Sequence, residues 1–195
     1  MTDSANRIPA ATQGARRTLL HKGAKFDFVQ VEYPAADGRT LTRQYVRHPG
    51  AVVILPILQT GAGRKVVLIR NQRITTGVHL WELPAGTREP AEPPDRTAAR
   101  ELVEETGYRA ASFELLGTFY TSPGLSDELM WAYAATGLVR EVQDLEDDEQ
   151  ITVHETNEQD VLGMVDRGEL VDAKSMLTVL LAVRKGLLAT PNNGK

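Results

Sequence analysis

From Lys25 onward apolar and polar positions alternate. Phe26, Phe28, Val29, Val31 and Tyr33 are followed, after Ala35-Ala-Asp-Gly-Arg39, by a second alternating run from Leu41 to Val46. Period-two patterning on both sides of Asp37-Gly38 predicts two strands joined as a hairpin. A lone hairpin is not stable in water, so this one must pack on the rest of the chain or on another subunit. The pattern then changes. Ala51-Val-Val-Ile-Leu-Pro-Ile57 is continuously apolar, as a strand buried on both faces is, and Lys65-Val-Val-Leu-Ile-Arg70 is similar. Further strands are expected near residues 114–120, 128–135 and 151–155. Helical signals are fewer. Residues 100–106 are good helix formers, Pro94 suits a first helical position, and Gly107 suits the residue after the last turn. Pro93 falls at the N-cap, where Ser, Thr or Asp would serve better. Thr156 with Gln159 reads as a capping box opening a helix to about Gly168, and Asp172 as the cap of an apolar helix that stops at Gly186. Strands around one helix, then more strands and two helices, predict a layered α/β sandwich.

Composition narrows the class. The 195 residues suit one domain with an appended segment, and 42% hydrophobic with 25% charged residues is average for a globular chain. Residues 1–16 are polar and small, and are read as a mobile tail. A net charge of −4 without a basic stripe favours neither nucleic acid nor an anionic membrane as partner. There is no cysteine, which excludes disulfides, thiol catalysis and cysteine-ligated zinc. His21, His48, His79 and His154 are scattered without metal-ligand spacing. No apolar run approaches the roughly 20 residues of a membrane span, and the N-terminus is not that of a signal peptide. The expected compartment is the cytoplasm.

The chemistry is concentrated between Gly86 and Tyr108. On a helix Glu101, Glu104 and Glu105 stand at i, i+3 and i+4 and share one face. Three adjacent carboxylates repel unless a cation sits among them. An oxygen-only ligand set suits a hard divalent ion, Mg²⁺ or Mn²⁺ in its place. Arg100 can pair with Glu92 and hold the loop from Gly86 against the helix. An isolated acidic cluster of this kind is more often a solvated face. Here the surrounding residues change the balance. Gly86, Glu92, Arg100, Glu101, Glu104, Glu105 and Gly107 fill every glycine and polar position of G-x5-E-x7-R-E-U-x-E-E-x-G-U, with U an apolar residue. A chance coincidence of that length is expected in about one chain in a million. The segment resembles the Nudix box. Tyr108 departs from it softly, where the family usually places an aliphatic residue.

The resemblance extends over most of the chain. Trp81-Glu-Leu-Pro-Ala-Gly86 and Asn71-Gln-Arg73 resemble the segments before the box in ADP-ribose pyrophosphatase-like members, and His48-Pro-Gly-Ala-Val52 the start of their first core strand. Thr18-Leu-Leu-His-Lys-Gly23 resembles the segment that opens their small N-terminal sheet. Pro123, 15 residues after Tyr108, resembles the mark of that subfamily, and is otherwise an ordinary Ser-Pro-Gly turn. The resemblance implies a Nudix-type α/β/α sandwich with a mixed sheet over residues 48–190. A small antiparallel sheet over residues 17–47 would serve a homodimer that completes the site.

It also implies roles. The Ala85 carbonyl with Glu101 and Glu105 would ligate metal, with Glu104 ligating directly or through water and Arg100 supporting them. Arg73 would pair with a phosphate. Arg43 and Phe28 would sandwich the adenine, although Phe28 reads equally well as a core strand residue. Glu82 would contact substrate or be a buried, hydrogen-bonded carboxylate. Glu149, in the acidic run 146–149, matches the general base, and such a run is otherwise merely solvated. The implied reaction is Mg²⁺-dependent hydrolysis of ADP-ribose to AMP and ribose 5-phosphate. The alternatives are another nucleotide sugar such as GDP-mannose, an enzyme for oxidised nucleoside triphosphates, which leaves the N-terminal extension unexplained, or a non-catalytic nucleotide sensor, against which the intact glutamates argue.

Overall fold

The computed structural model describes residues 14–145 and 150–189. Contacts divide the chain into two units, Met1–Pro49 with Ser122–Glu128, and Gly50–Thr121 with Leu129–Lys195. In the first unit β1 (Arg16–Lys22), β2 (Asp27–Pro34) and β3 (Thr40–Arg47) form an antiparallel sheet in that order. The expected hairpin is β2–β3. Its turn places Gly38 at φ 81°, and the Asp37 carboxylate accepts the Arg39 amide at 3.1 Å. β1 is exposed along its whole length, so no burial period marks it in the sequence. Arg16 belongs to this strand and not to the tail, with its guanidinium 2.5 Å from Glu32. The returning segment Ser122–Glu128 lies along the end of β3. The Val46 amide donates to the Leu125 carbonyl at 2.9 Å, and the Asp127 carboxylate accepts the His48 amide at 2.8 Å.

The second unit is built on β4 (Ala51–Thr60), β5 (Gly63–Arg73), β6 (Val78–Glu82), β7 (Ala85–Thr87), α1 (Pro94–Thr106), β8 (Tyr108–Arg109), β9 (Ser112–Tyr120), β10 (Leu129–Thr136), β11 (Val139–Arg140), β12 (Ile151–Asn157), α2 (Glu158–Asp166) and α3 (Ala173–Arg184). The main sheet runs β12-β5-β4-β10-β9, with β6 on β5 and β7 on β4, while β8 and β11 form a separate short pair. β10 runs parallel to β4 and antiparallel to β9, so the sheet is mixed. The continuous apolar run of β4 is explained by its two faces. Val53, Leu55 and Ile57 join Val161, Leu162, Val179 and Ala182 of α2 and α3. Val52 and Ile54 join Ala98 and Leu102 of α1. Both faces of the central strands are therefore dry, and the unit is the expected α/β/α sandwich.

One helix start differs from the sequence expectation. α2 opens at Asn157 without a side-chain capping bond, because Thr156 and Asn157 still pair with Val66 and Lys65 in the ladder. α3 is capped as expected, the Asp172 side chain accepting from the Ser175 amide.

Candidate active site

The residues of greatest chemical interest lie on α1 and on the loop that enters it. Pro93 caps the helix without a side-chain bond, and Glu92 does the holding instead. Its carboxylate accepts the Thr97 hydroxyl at 2.9 Å, and its carbonyl accepts the Arg88 guanidinium at 2.7 Å. Arg100 crosses from the helix to the same Glu92 carboxylate, at 3.3 and 3.1 Å, and reaches the Thr87 carbonyl at 3.3 Å. This bonding holds the Glu92 carboxyl below its ordinary range, chiefly through Arg100. Burial opposes the charge on Arg100, but the bond to Glu92 and the fields of Glu101 and Glu104 outweigh it and hold the group above its ordinary value.

The far end of α1 is finished by a different segment. Gly107 adopts φ 65°, a conformation that suits glycine. The Glu141 amide donates to the Gly107 carbonyl at 2.7 Å, the Gln143 side-chain amide to the Glu105 carbonyl at 2.7 Å, and the Asp144 amide to the Glu104 carbonyl at 3.1 Å. Carbonyls that a helix end leaves without partners are thus satisfied from outside. A side chain at position 107 would press on the Glu141 carbonyl at 3.0 Å and the Gln143 amide at 3.1 Å.

Between these ends stand the three carboxylates. Glu101 and Glu105 are buried, and Glu104 is half-buried. Glu101 Oε1 and Glu104 Oε2 each lie 2.8 Å from the same Arg100 nitrogen, so a cation already moderates their repulsion. Glu105 accepts the Ala85 amide at 2.7 Å. β7 passes so close to α1 that a β-carbon on Gly86 would stand 1.9 Å from the Glu101 carboxyl carbon. Among the described residues no three carboxylates or imidazoles are already gathered around one point. The donor set nonetheless fits a hard divalent ion. It is oxygen-only, carries three negative charges against one local guanidinium, and is faced by backbone that only glycine allows so near.

Other expected site residues are placed as follows. Arg73, on β5, grips Glu82 with Nε and Nη2 at 2.7 and 2.5 Å. Glu82 is buried. Burial works against its charge, yet Arg73 and Lys174 hold its carboxyl below the ordinary range. Phe28, Arg43 and Pro123 belong to the first unit. Phe28 stands opposite Val46 and Arg43 opposite Val31 in an unbroken register. Positions 43 and 46 fall on opposite faces of the strand, so Phe28 and Arg43 leave the small sheet on opposite sides. Glu149 lies outside the described residues. Sequence reasoning did not find Thr97, Gln143 or Lys174. Gln143 and Lys174 act through contacts distant in sequence, and Thr97 through a hydroxyl at a position where the motif sets no residue.

Comparison with known proteins gives a consistent result. A family model described as NUDIX domain matches residues 47–180. The chain is 34% identical over 162 residues to an ADP-ribose pyrophosphatase of Bacillus subtilis (strain 168), covering 82% of this chain and 86% of that protein. It is 44% identical over 124 residues to an ADP-ribose pyrophosphatase of Mycobacterium tuberculosis, covering 63% of this chain and 58% of that one. Among solved structures, one described as an ADP compounds hydrolase superposes with a TM-score of 0.72 at 22% identity, covering 88% of this chain and 91% of the other.

Proposed function

We propose that this chain, which belongs to the NUDIX domain family, hydrolyses the pyrophosphate bond of ADP-ribose to give AMP and ribose 5-phosphate. Nudix hydrolases generally use a divalent metal, and here we take it to be Mg²⁺, with Mn²⁺ as a substitute. Ala85, Glu101, Glu104 and Glu105 would hold it. When bound, such an ion neutralises the phosphate oxygens and activates a water for in-line attack. The chain's own residues do the rest. Glu92 and Arg100 lock the loop to the helix and keep Glu101 and Glu104 in place. Arg73, with a guanidinium already fixed in plane, binds a phosphate oxygen. Glu149 takes the proton of the attacking water, and Pro123 shapes the turn that favours this substrate.

Phe28 and Arg43 stack on the two faces of the adenine. Because one chain sends them to opposite sides of its sheet, the two must come from two chains. That requirement supports a homodimer. So does the exposure of Leu19, Leu20 and Phe28 on the small sheet and of Phe26 in the connection between β1 and β2. The proposed compartment is the cytoplasm, and the partner is the small-molecule nucleotide sugar, with no nucleic acid and no membrane. No helix among the described residues is long and apolar enough to cross a membrane.

The observation that carries the reading is the approach of Gly86 to Glu101, which presses β7, where the box opens, against two buried carboxylates. A mere solvated acidic face has no need of it. The test is kcat/KM across a panel of nucleoside diphosphate sugars with Mg²⁺. ADP-ribose is expected to rank first, and a higher value for GDP-mannose would replace it as substrate.

A further inference from the structure

Glu82 is a buried carboxylate, and such a charge is costly unless opposite charges and hydrogen bonds answer it. Two cations do so. Arg73 grips both oxygens from β5, and Lys174, in the first turn of α3, brings Nζ to 2.6 Å from Oε2. The ammonium is itself held by Asp172 at 2.9 Å. Asp172 is fixed in turn by the Ser175 amide at 3.1 Å and hydroxyl at 2.5 Å. The Ser175 oxygen accepts the Leu83 amide at 2.8 Å, closing the circuit at the residue after Glu82. Two carboxylates and two cations cancel.

The members differ in access. The side chain of Glu82 is 1% exposed and that of Lys174 14%, while that of Arg73 is 40% exposed. Arg73 gives one edge of its guanidinium to Glu82, and among the described residues Nη1 has no partner. A bidentate grip on one edge fixes the plane and so the direction of the other. Glu105 of the acidic helix contributes to the electrostatic field at Arg73.

We infer that Lys174 is a positioning residue for Arg73. By tying Glu82 to the start of α3 it holds the guanidinium so that its open edge meets a phosphate of the substrate. The inference rests on the proposed role of Arg73. Without the ammonium, Glu82 keeps a single cation and its side chain loses its own tie to α3, while the Leu83–Ser175 bond still holds the strand end, so the Arg73–Glu82 side-chain pair is free to shift as a unit. A shift of this kind weakens binding of the pyrophosphate and leaves the attack on phosphorus largely intact.

The test is steady-state kinetics of the full chain with ADP-ribose and Mg²⁺, comparing Lys174→Met, Lys174→Arg, Arg73→Gln and the double variant Arg73→Gln/Lys174→Met. Lys174→Met is expected to raise KM about tenfold, the low end for loss of a supporting partner, with kcat near the parent value. Lys174→Arg, which keeps the charge, is expected to recover part of the loss. The double variant should be no worse than Arg73→Gln, because both changes remove one contact. A parental KM for Lys174→Met beside a raised KM for Arg73→Gln overturns the inference and leaves the role of Arg73 standing. Additive penalties overturn it too. A parental KM for Arg73→Gln removes the role of Arg73, and the inference falls with it. If Lys174→Met does not fold, Asp172→Asn serves in its place, since Asn caps a helix as well as Asp, while the charge that holds the ammonium and the Ser175 hydroxyl is lost. It is expected to raise KM by a smaller factor, and a parental KM there overturns the inference.

Discussion

At the scale of single residues, Gly86 shows most clearly how chemistry is written into the backbone. Its fixed position in the motif is not a matter of left-handed conformation. It follows from the 1.9 Å that would separate a β-carbon from the Glu101 carboxyl carbon. Gly86→Ala must therefore push Glu101 aside or lift β7 from α1. We expect a loss of about 1–3 kcal/mol in stability, the usual cost of overpacking. Misplacing a reacting group by an ångström can cost about 10²-fold, and a comparable fall in kcat/KM is expected. Kinetics and thermal unfolding of Gly86→Ala check both, and parental activity would show that Glu101 need not be where it stands.

At the scale of elements, α1 is held at both ends by groups outside it, Glu92 at the start and residues 141–144 at the finish. Tyr108 adds a third tie. Its ring is buried among Val52, Ile54 and Leu102, and its hydroxyl donates to Glu155 of β12 at 2.7 Å. Glu155 also receives Arg140, which lies over the Tyr108 ring, and Lys65. The residue that departs from the motif thus keeps the apolar packing and gains a bond to the sheet. Burial first, and then the bond to Glu155, push the phenol up to about 12 from an ordinary 10.0. The folded state holds the proton more tightly than the unfolded one. The associated stability is complete below pH 10.0 and is lost as pH rises through about 12. Tyr108→Phe should cost about 1–2 kcal/mol near neutrality and flatten the alkaline limb. Unfolding midpoints measured from neutral pH upward test this, and parallel curves for variant and parent would contradict it.

At the scale of the whole molecule, the sequence was legible where a pattern has a local cause. β4 was visible because both faces are buried. The β2–β3 turn was visible because Asp37-Gly38 has a conformational reason, and α1 because its spacings form a motif. β1 carries no burial period, and β6 and β7 are short strands between turns. The Thr156 cap failed because ladder pairing outlasts the local signal. The quartet around Glu82 joins residues 92 positions apart, and no local pattern encodes such a meeting. The opposite facing of Phe28 and Arg43 emerged only from register, and with the proposed adenine contacts of both it calls for two chains. Light scattering of the intact chain at micromolar concentration is expected to give the mass of a dimer, and a monomer would contradict the shared adenine site. The central proposal is ADP-ribose cleavage by the acidic face of α1. Its most direct test is product analysis with ADP-ribose and saturating Mg²⁺ for the parent and Glu105→Gln. Glutamine can still accept the Ala85 amide, so the fold should be retained. The account requires AMP and ribose 5-phosphate in equal amounts from the parent, and turnover lower by about 10²-fold or more in the variant. No AMP from the parent, or undiminished turnover in Glu105→Gln, would contradict it.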